Sequence, residues 1–233
     1  PFSRGKEGIT INGLVWMGSF DEMNKRIEDK LSEGFRCVKL KIGAIDFDSE
    51  MTLIKSIRKR YSKSAIELRV DANGGFTAGD AMSRLEELSK YDIHSIEQPI
   101  RQKQWHEMSY LCANTPVPIA LDEELIGVNI PKMKDDLLDY IKPQYIVLKP
   151  TLHGGMKGTR EWIEKSRERN VDSWITSALE SSVGLSAIAQ LTSDIYGNDI
   201  TMAQGLGTGA LFADNLPSQT EIRGDKLWMT GKK

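Results

Sequence analysis

The chain has 233 residues, which is enough for one large domain or two small ones with a substantial core. Hydrophobic residues make up 39% of it, charged residues make up 27%, and the formal net charge is −2, with acids and bases interspersed. This composition is typical of an ordinary globular protein and excludes the basic surfaces that bind nucleic acid or an anionic membrane.

Short runs rich in β-branched residues alternate with longer amphipathic segments along the chain. The predicted strands are residues 11–17, 36–42, 66–71, 93–97, 119–122, 145–149 and 173–177, with a weaker eighth near 200–203. The predicted helices between them are residues 21–33, 47–60, 78–89, 104–113, 130–140, 156–169 and 182–192. In the second helix Met51, Ile54 and Ile57 recur at helical spacing, which indicates an amphipathic helix.

Strict alternation of strands and helices predicts parallel strands joined by right-handed crossovers. Eight such units over about 250 residues form a (β/α)8 barrel of the TIM type, so we predict an α/β barrel over residues 1–214. Residues 215–233 are predicted to form a polar, irregular C-terminal tail. The rival fold, a doubly wound open sheet, predicts a Gly-rich fingerprint after the first strand, which MGSF at 17–20 does not supply.

The two cysteines, Cys37 and Cys112, lie far apart and have no CxxC spacing. This pattern favours reduced thiols, as in a cytoplasmic protein, over a disulfide framework or a structural zinc site. No apolar run approaches the roughly 18 residues of a transmembrane helix, and the first residues do not resemble a signal peptide. We therefore expect a cytoplasmic location.

Charged residues close five successive predicted strands. Lys41, Asp71, Glu97, Asp122 and Lys149 follow one another at intervals of 25 to 30 residues, one strand–helix unit each. Because the carboxyl ends of the strands in a parallel barrel meet at one rim, we expect these side chains to lie together. Charged groups next to an apolar core need partners. Three neighbouring carboxylates therefore predict a site for a hard divalent cation, Mg²⁺ or Mn²⁺, rather than zinc.

The lysines provide the chemistry of this predicted site. Lys39 and Lys41 flank Leu40, so both point into the barrel while Leu40 faces the helices. A partly desolvated lysine beside a cation has a lowered pKa, which provides neutral amine able to accept a proton. With Lys149 approaching from the other side, these residues predict abstraction of a proton α to a carboxylate, the cation neutralising the enediolate.

Each of these signals also has an ordinary structural explanation. Asp71 fits the N-cap of the next helix, Glu97 fits a loop acid, and Lys149 fits a surface lysine with a buried stem. A single Lys-X-Lys pattern is common on a solvated strand edge. The catalytic interpretation depends on their regular recurrence on consecutive units.

Five motifs carry a resemblance to a known family. They are VKLKIG at 38–43, VDANGG at 70–75, IEQP at 96–99, ALDE at 120–123 and VLKP at 147–150. Together they resemble the enolase superfamily, specifically its muconate-lactonizing subgroup, across residues 38–209. The Mg²⁺ ligands that this resemblance implies are Asp71, Glu97 and Asp122. It also implies that Lys41 is the base, that Lys39 assists at the substrate carboxylate and that Lys149 faces Lys41. Members carry an N-terminal capping domain, for which the chain has no room before its first strand.

Within the superfamily, the mandelate racemase type carries a histidine on the seventh strand, whereas the histidines here are at positions 94, 106 and 153. Dipeptide epimerases carry an acidic pair after the eighth strand, where this chain has QGLGTG. Residues 149–155 and 176–184 instead look like the o-succinylbenzoate synthases. These hydro-lyases, a class of carbon–oxygen lyases, dehydrate 2-succinyl-6-hydroxy-2,4-cyclohexadiene-1-carboxylate in menaquinone biosynthesis. The resemblance implies that Lys41 moves the proton to the departing hydroxyl while Lys149 makes a cation–π contact with the flat anion.

Candidate substrate contacts, besides Lys39, are Asn73, Ser177, Gly205 and Gly207. The glycines between 205 and 209 allow backbone N–H groups to approach an anion, at a rim position where barrels often bind anions. A distal carboxylate of the substrate fits there. The alternative is a flexible turn before a helix that begins near Ala210.

Two other functions stay open. The first is an N-succinylamino acid racemase, dipeptide epimerase or muconate-type cycloisomerase, which shares the metal site and the lysines. The second is a catalytically inactive barrel, which the retained lysines and acids disfavour. For either kind of enzyme the expected partner is a small-molecule carboxylate, with no nucleic acid and no membrane, and the sequence makes no prediction of the oligomeric state.

Overall fold

The computed structural model describes residues 1–43, 45–197, 200–208 and 214–230. Its main sheet has seven strands, which lie side by side in their order along the chain. A short strand, β1 (Ile9–Thr10), leads into the first of them. The seven are β2 (Gly13–Val15), β3 (Cys37–Lys41), β4 (Glu67–Asp71), β5 (Ser95–Glu97), β6 (Ile119–Leu121), β7 (Tyr145–Leu148) and β8 (Asp172–Ile175). Every neighbouring pair is parallel, which confirms the predicted α/β class.

A helix follows each strand of this sheet. The helices are α1 (Phe20–Ser32), α2 (Phe47–Arg60), α3 (Ala81–Ser89), α4 (Trp105–Asn114), α5 (Pro131–Ile141), α6 (Gly155–Arg167) and α7 (Ser182–Tyr196). A reciprocal pair of hydrogen bonds between Ser19 and Glu22 starts α1. Asp71 does not occupy an N-cap, because the cap position of α3 is Asp80. The helix-cap explanation of Asp71 is therefore wrong.

The barrel is closed by a pair of residues rather than by a full eighth strand. Gln204 bridges to Ile11, and Gly205 bridges to Thr176, both in parallel orientation. The predicted eighth strand at 200–203 is therefore misplaced by a few residues. The β-branched residues there suggested a strand, but the closing positions are occupied by Gln204, whose side-chain oxygen accepts from the Ile175 N–H, and by a glycine. A Cβ at Gly205 would lie 2.6 Å from the Thr176 Cβ, so only glycine fits.

The prediction of an irregular C-terminal tail is wrong. The tail forms a hairpin of β9 (Thr220–Arg223) and β10 (Lys226–Met229), and β10 pairs antiparallel with β1. Leu227 lies opposite Ile9 and is buried in the core. A two-residue turn that begins at Gly224, with φ of 59°, makes the hairpin possible. The tail thus packs where the chain enters the barrel, while the helix predicted near Ala210 lies outside the described residues.

The hydrophobic core lies between the sheet and the surrounding helices. Leu40 is buried in it, whereas Lys39 and Lys41 point into the barrel, as their alternation predicts. Among the helices of the described segments, none combines the length and the apolar character that crossing a bilayer requires.

Candidate active site

The charged residues at the strand ends converge at the carboxyl-terminal rim. Lys41, Asp71 and Glu97 stand in register on three adjacent parallel strands. Asp122 directly follows β6, and Lys149 directly follows β7. The regular spacing in the sequence therefore becomes a single cluster, because parallel register carries each strand end to the same level.

Lys39 lies at the bottom of this cluster and is almost fully buried. Its Nζ is 3.1 Å from Asp71 Oδ2 and 2.8 Å from Glu97 Oε2. Burial alone would lower the pKa of Lys39, but the carboxylates of Glu97 and Asp71 outweigh burial and raise it. The expected lowering of a lysine pKa concerns the site with a cation bound and stays a prediction, since here the Lys39 ammonium contacts carboxylates directly.

Lys41 lies two residues after Lys39, at the end of β3, and borders the cavity. Its Nζ is 2.6 Å from Asp71 Oδ2 and 2.8 Å from Asn73 Oδ1. The ring centroid of Trp16 is 5.6 Å from the same nitrogen. Lys41 is therefore held by one carboxylate, one amide oxygen and one aromatic face, and its ammonium borders the cavity.

The carboxylates differ in how well they are balanced by lysines. Burial would raise the pKa of Asp71, but the ammonium groups of Lys39 and Lys41 outweigh it and hold the pKa well below its usual range. Burial and the negative charge of Asp71 raise the pKa of Glu97 well above its usual range. Asp71 is therefore held in its charged form by two ammonium groups, whereas the charged form of Glu97 is disfavoured.

Lys149 pairs with the remaining predicted ligand. Its Nζ donates a hydrogen bond to Asp122 Oδ2. Burial would lower the pKa of Lys149, but Asp122 and Glu97 outweigh it and raise the pKa. Lys149 and Lys41 thus reach the cavity from separate strands, β7 and β3 respectively, so that two cationic groups border the same space.

The donor chemistry of the rim fits a hard divalent cation. Glu97 Oε1, Asp122 Oδ1 and Glu123 Oε2 are buried carboxylate oxygens without a hydrogen-bond partner among the described residues. Unpaired buried oxygens are costly, and oxygen ligands are those that Mg²⁺ prefers. Within the described ranges, however, no three acidic, histidine or cysteine side chains already surround a common point. Because the ammonium groups of Lys39 and Lys149 occupy the carboxylates, they would have to yield to a cation.

A cavity of about 180 Å³ opens above the cluster. Lysines and Glu97 form its charged side, while Trp16, Ser177 and Thr208 contribute to the rest of its wall. Larger cavities of about 270 to 530 Å³ lie elsewhere in the described part of the chain, but they are not bordered by the charged strand-end residues Lys41, Asp71, Glu97, Asp122 and Lys149. We therefore assign the candidate active site to the smaller cavity, where the ionizable groups converge.

The predicted substrate contacts lie in different surroundings. Asn73 accepts from Lys41 and donates to Glu123 Oε1 at 2.9 Å, so it joins two charged residues of the site. The hydroxyl of Ser177 is hydrogen-bonded to that of Thr208 at the cavity wall.

The glycine-rich segment has a structural role at its first residue. The Gly205 N–H donates to the Ile175 carbonyl at 2.8 Å, so it is engaged in closing the barrel. Gly207 has more room, since a Cβ there would lie 3.5 Å from the Asn12 carbonyl oxygen. Gly209 lies outside the described residues.

Sequence reasoning missed Trp16, Glu123 and Thr208. Trp16 lies at the end of the first predicted strand, and an inspection of strand ends that included aromatic residues would have found it. Glu123 directly follows Asp122, and a pattern of one strand-end acid per strand–helix unit does not include it. Thr208 belongs to the glycine-rich segment, whose composition points to backbone N–H donors rather than to a hydroxyl group.

The chain is similar to proteins of one family in sequence and in structure. An o-succinylbenzoate synthase of Desulfotalea psychrophila is 54% identical over 226 residues, covering 97% of this chain and 60% of the relative. An L-Ala-D/L-Glu epimerase of Bacillus subtilis is 26% identical over 186 residues, covering 79% of this chain and 50% of the relative. The chain thus spans 50 to 60% of the length of these relatives.

Solved structures agree with this similarity. The crystal structure of MenC from Desulfotalea psychrophila superposes with a TM-score of 0.90 at 52% identity, covering 98% of this chain and 62% of that one. The muconate lactonizing enzyme from Pseudomonas putida has a TM-score of 0.81 at 21% identity, with coverage of 97% and 62%, which shows a shared fold. The family model described as "Enolase C-terminal domain-like" matches residues 22–222. This chain therefore belongs to the enolase C-terminal domain-like family, as the strand-end motifs predict.

Proposed function

We propose that this chain is the barrel domain of an o-succinylbenzoate synthase, which dehydrates 2-succinyl-6-hydroxy-2,4-cyclohexadiene-1-carboxylate. The observation that carries the proposal is the pair of lysines, Lys41 and Lys149, which border one cavity from two separate strands beside three buried carboxylates. The 54% identity to the enzyme of Desulfotalea psychrophila supports this substrate over others of the family. In this proposal the protein acts in menaquinone biosynthesis.

The metal ligands in this proposal are Asp71, Glu97 and Asp122, and the cation is Mg²⁺ or Mn²⁺. The unpartnered buried oxygens of Glu97 and Asp122 support this assignment. When bound, the cation supplies positive charge that neutralises the substrate carboxylate as the α-proton leaves. Glu123 adds a further carboxylate beside the site, whose pKa is raised by burial and by the charge of Asp122.

Lys41 acts as base and then as acid. As a neutral amine it takes the α-proton, and the resulting ammonium gives a proton to the hydroxyl, which departs as water. The amine is regenerated and the ring becomes aromatic, so the step balances without a further reactant. Asn73 supports this role, because its side-chain oxygen lies 2.8 Å from Lys41 Nζ and orients the group.

Lys149 stabilises the flat anion from the other side of the cavity and Lys39 neutralises charge at the substrate carboxylate. Ser177 and Gly207 contact the distal carboxylate in this proposal, with the Thr208 hydroxyl as an additional donor. Gly205 serves mainly the barrel wall, since its N–H is already bonded to Ile175.

The mouth of the barrel presents large apolar side chains to solvent. After β8 come Leu179, in the loop, and Val183, near the start of α7, which are 66% and 62% exposed. After β7 comes Met156, near the start of α6, which is 54% exposed. We propose that this surface binds the capping domain of the family, with residues 1–214 forming the catalytic barrel.

The two cysteines are free and buried, which supports a reducing, cytoplasmic location.

A racemase or epimerase is the second candidate, because two lysines beside one cavity also suit proton exchange at both faces of an α-carbon. Purified full-length protein should be assayed with the cyclohexadiene substrate and with N-succinylamino acids, with Mg²⁺ or with chelator. We expect Mg²⁺-dependent dehydration. Racemisation without dehydration would select the second candidate, and inactivity on both substrates would indicate a non-catalytic barrel.

Single variants separate the two lysine roles. Lys41→Ala should reduce dehydration by about 10²–10⁴-fold or more, because the general acid–base is lost. Lys149→Arg retains the charge but changes its shape and hydration, so it should be damaging yet less so. Exchange of the α-proton with solvent should be measured in both variants. Near-normal dehydration by Lys41→Ala would show that another group is the base.

A further inference from the structure

A fully buried histidine, His153, is hydrogen-bonded to the backbone of Lys149. His153 is 0% exposed, and its Nδ1 accepts a hydrogen bond from the backbone N–H of Lys149 at 2.9 Å. The backbone N–H of His153 in turn donates to the Lys149 carbonyl at 3.1 Å. The segment that leaves β7 therefore folds back, so that the imidazole is bonded to the residue four positions earlier.

The geometry fixes the protonation state of this imidazole. An Nδ1 that accepts a backbone N–H bond has no proton of its own, so the neutral ring carries its proton on Nε2. Burial lowers the pKa of His153 to about 4, and the ammonium groups of Lys149 and Lys134 act in the same direction, against the charge of Asp122. His153 therefore remains a neutral acceptor at the pH of a working enzyme.

The surroundings fix the backbone around His153. The Gly154 backbone adopts φ of 88°, a left-handed conformation that suits glycine, and this turns the chain from the loop into α6. A Cβ at Gly158 would overlap the His153 carbonyl, so glycine is required for the close approach of α6. Lys134 is buried on the neighbouring helix α5, and its Nζ donates to the Gly158 carbonyl at 3.2 Å.

A contribution to packing alone does not explain an imidazole at this position. His153 Nε2 is buried and has no hydrogen-bond partner among the described residues. An unpaired buried N–H is costly, so an apolar ring would serve the core better. The atom that explains the imidazole is Nδ1, because it accepts the hydrogen bond from the backbone N–H of Lys149.

We propose that His153 is a positioning residue for Lys149: it holds the backbone of Lys149 so that the ammonium reaches Asp122 and the cavity. This inference rests on the proposed catalytic role of Lys149. The imidazole contacts no substrate in this scheme and acts only through the lysine.

Nuclear magnetic resonance of ¹⁵N-labelled full-length protein tests the contact without reference to activity. The signals that disappear in His153→Asn are those of His153, so comparison with this variant assigns them. We expect a neutral His153 ring with an unprotonated Nδ1 at neutral pH, and a Lys149 amide proton protected from exchange. A charged ring, or a proton on Nδ1, would overturn the proposal whatever the enzyme's substrate is.

Kinetics then test the positioning role. His153→Leu removes the acceptor, whereas Asn places an oxygen as many bonds from Cα as Nδ1 and should restore it. We expect kcat to fall by about 10- to 100-fold in the Leu variant, with a smaller change in KM, since small misplacements of a catalytic group cost this much. The Asn variant should recover most of the loss, and its Lys149 amide should again be protected.

A double-mutant cycle separates positioning from a general structural effect. In the Lys149→Ala background, His153→Leu should cause almost no further loss of kcat, because the group that it positions is gone. An equal loss in both backgrounds would overturn the proposal. Wild-type protein inactive on the cyclohexadiene would instead refute the proposed function, while the tautomer measurement would still decide the contact between His153 and Lys149.

Discussion

The Lys39→Met substitution separates the charge balance of the site from its catalysis. The Lys39 ammonium is buried and pairs with Asp71 at 3.1 Å and with Glu97 at 2.8 Å. Methionine has a similar length but no charge, so both carboxylates would lose their shared counter-ion. Removing one partner of a buried ion pair costs about 3–5 kcal/mol, because the other charge is left uncompensated. In chelator we therefore expect the variant to be less stable by about 3 kcal/mol.

That loss is large enough to measure by thermal unfolding. For a chain of this size, 1 kcal/mol corresponds to roughly 2–4 °C, so the midpoint in chelator should fall by roughly 6–12 °C. Mg²⁺ at 100 times its Kd adds about 2.7 kcal/mol to a protein that binds it only when folded. Because the Lys39 ammonium then no longer competes at Asp71 and Glu97, and only Lys41 still pairs with Asp71, Mg²⁺ should raise the midpoint of the variant more than that of the wild type.

A matched control is Lys132→Met, which removes an exposed lysine paired with Asp136 on the surface of α5. Its midpoint should match that of the wild type with or without Mg²⁺, since exposed ion pairs contribute little. Equal stability of Lys39→Met and the wild type in chelator would refute the counter-ion role. An equal Mg²⁺ effect on both proteins would show that the cation does not bind at these carboxylates.

Three further predictions follow from the site and the core. Asp122→Asn should weaken divalent-ion binding and nearly abolish turnover while the fold survives, measured by calorimetric titration and circular dichroism; full activity in chelator would contradict it. Gly207→Val should raise KM far more than it lowers kcat, because the distal carboxylate is remote from the reacting carbon; an unchanged KM would favour the flexible-turn alternative. Burial raises the pKa of the Cys37 and Cys112 thiols to about 12. At pH 8 both thiols should be protonated and resist alkylation until the protein unfolds, and rapid labelling of the native protein, read by mass spectrometry, would disprove this.

Periodicity in the sequence was sufficient to predict the sheet and most of its rim. Alternating strand and helix patterns restrict the fold to a few topologies, because crossovers between parallel strands have one hand and short loops. Once the strands are parallel, side chains at their carboxyl ends must meet, and two-residue alternation decides that Lys39 and Lys41 point inward. Distances of 2.6 to 3.1 Å among Lys39, Lys41, Asp71 and Glu97 follow from that register.

The remaining features depend on contacts between distant parts of the chain. The barrel is closed by Gln204 and Gly205. Position 205 requires a glycine because a Cβ there would overlap Thr176, and the strand propensity of the sequence does not predict this. The hairpin of the tail is stabilised by pairing with β1, more than 200 residues earlier in the chain.

Sequence by itself determined which residues stand at the ends of the strands, because local periodicity encodes which face each side chain takes. Tertiary structure alone decided what each of them touches. The lysines pair with the carboxylates because burial of Asp71, Glu97 and Asp122 weakens the screening of opposite charges by solvent. His153 meets the Lys149 N–H because the loop folds back at Gly154, and no spacing in the sequence specifies that contact.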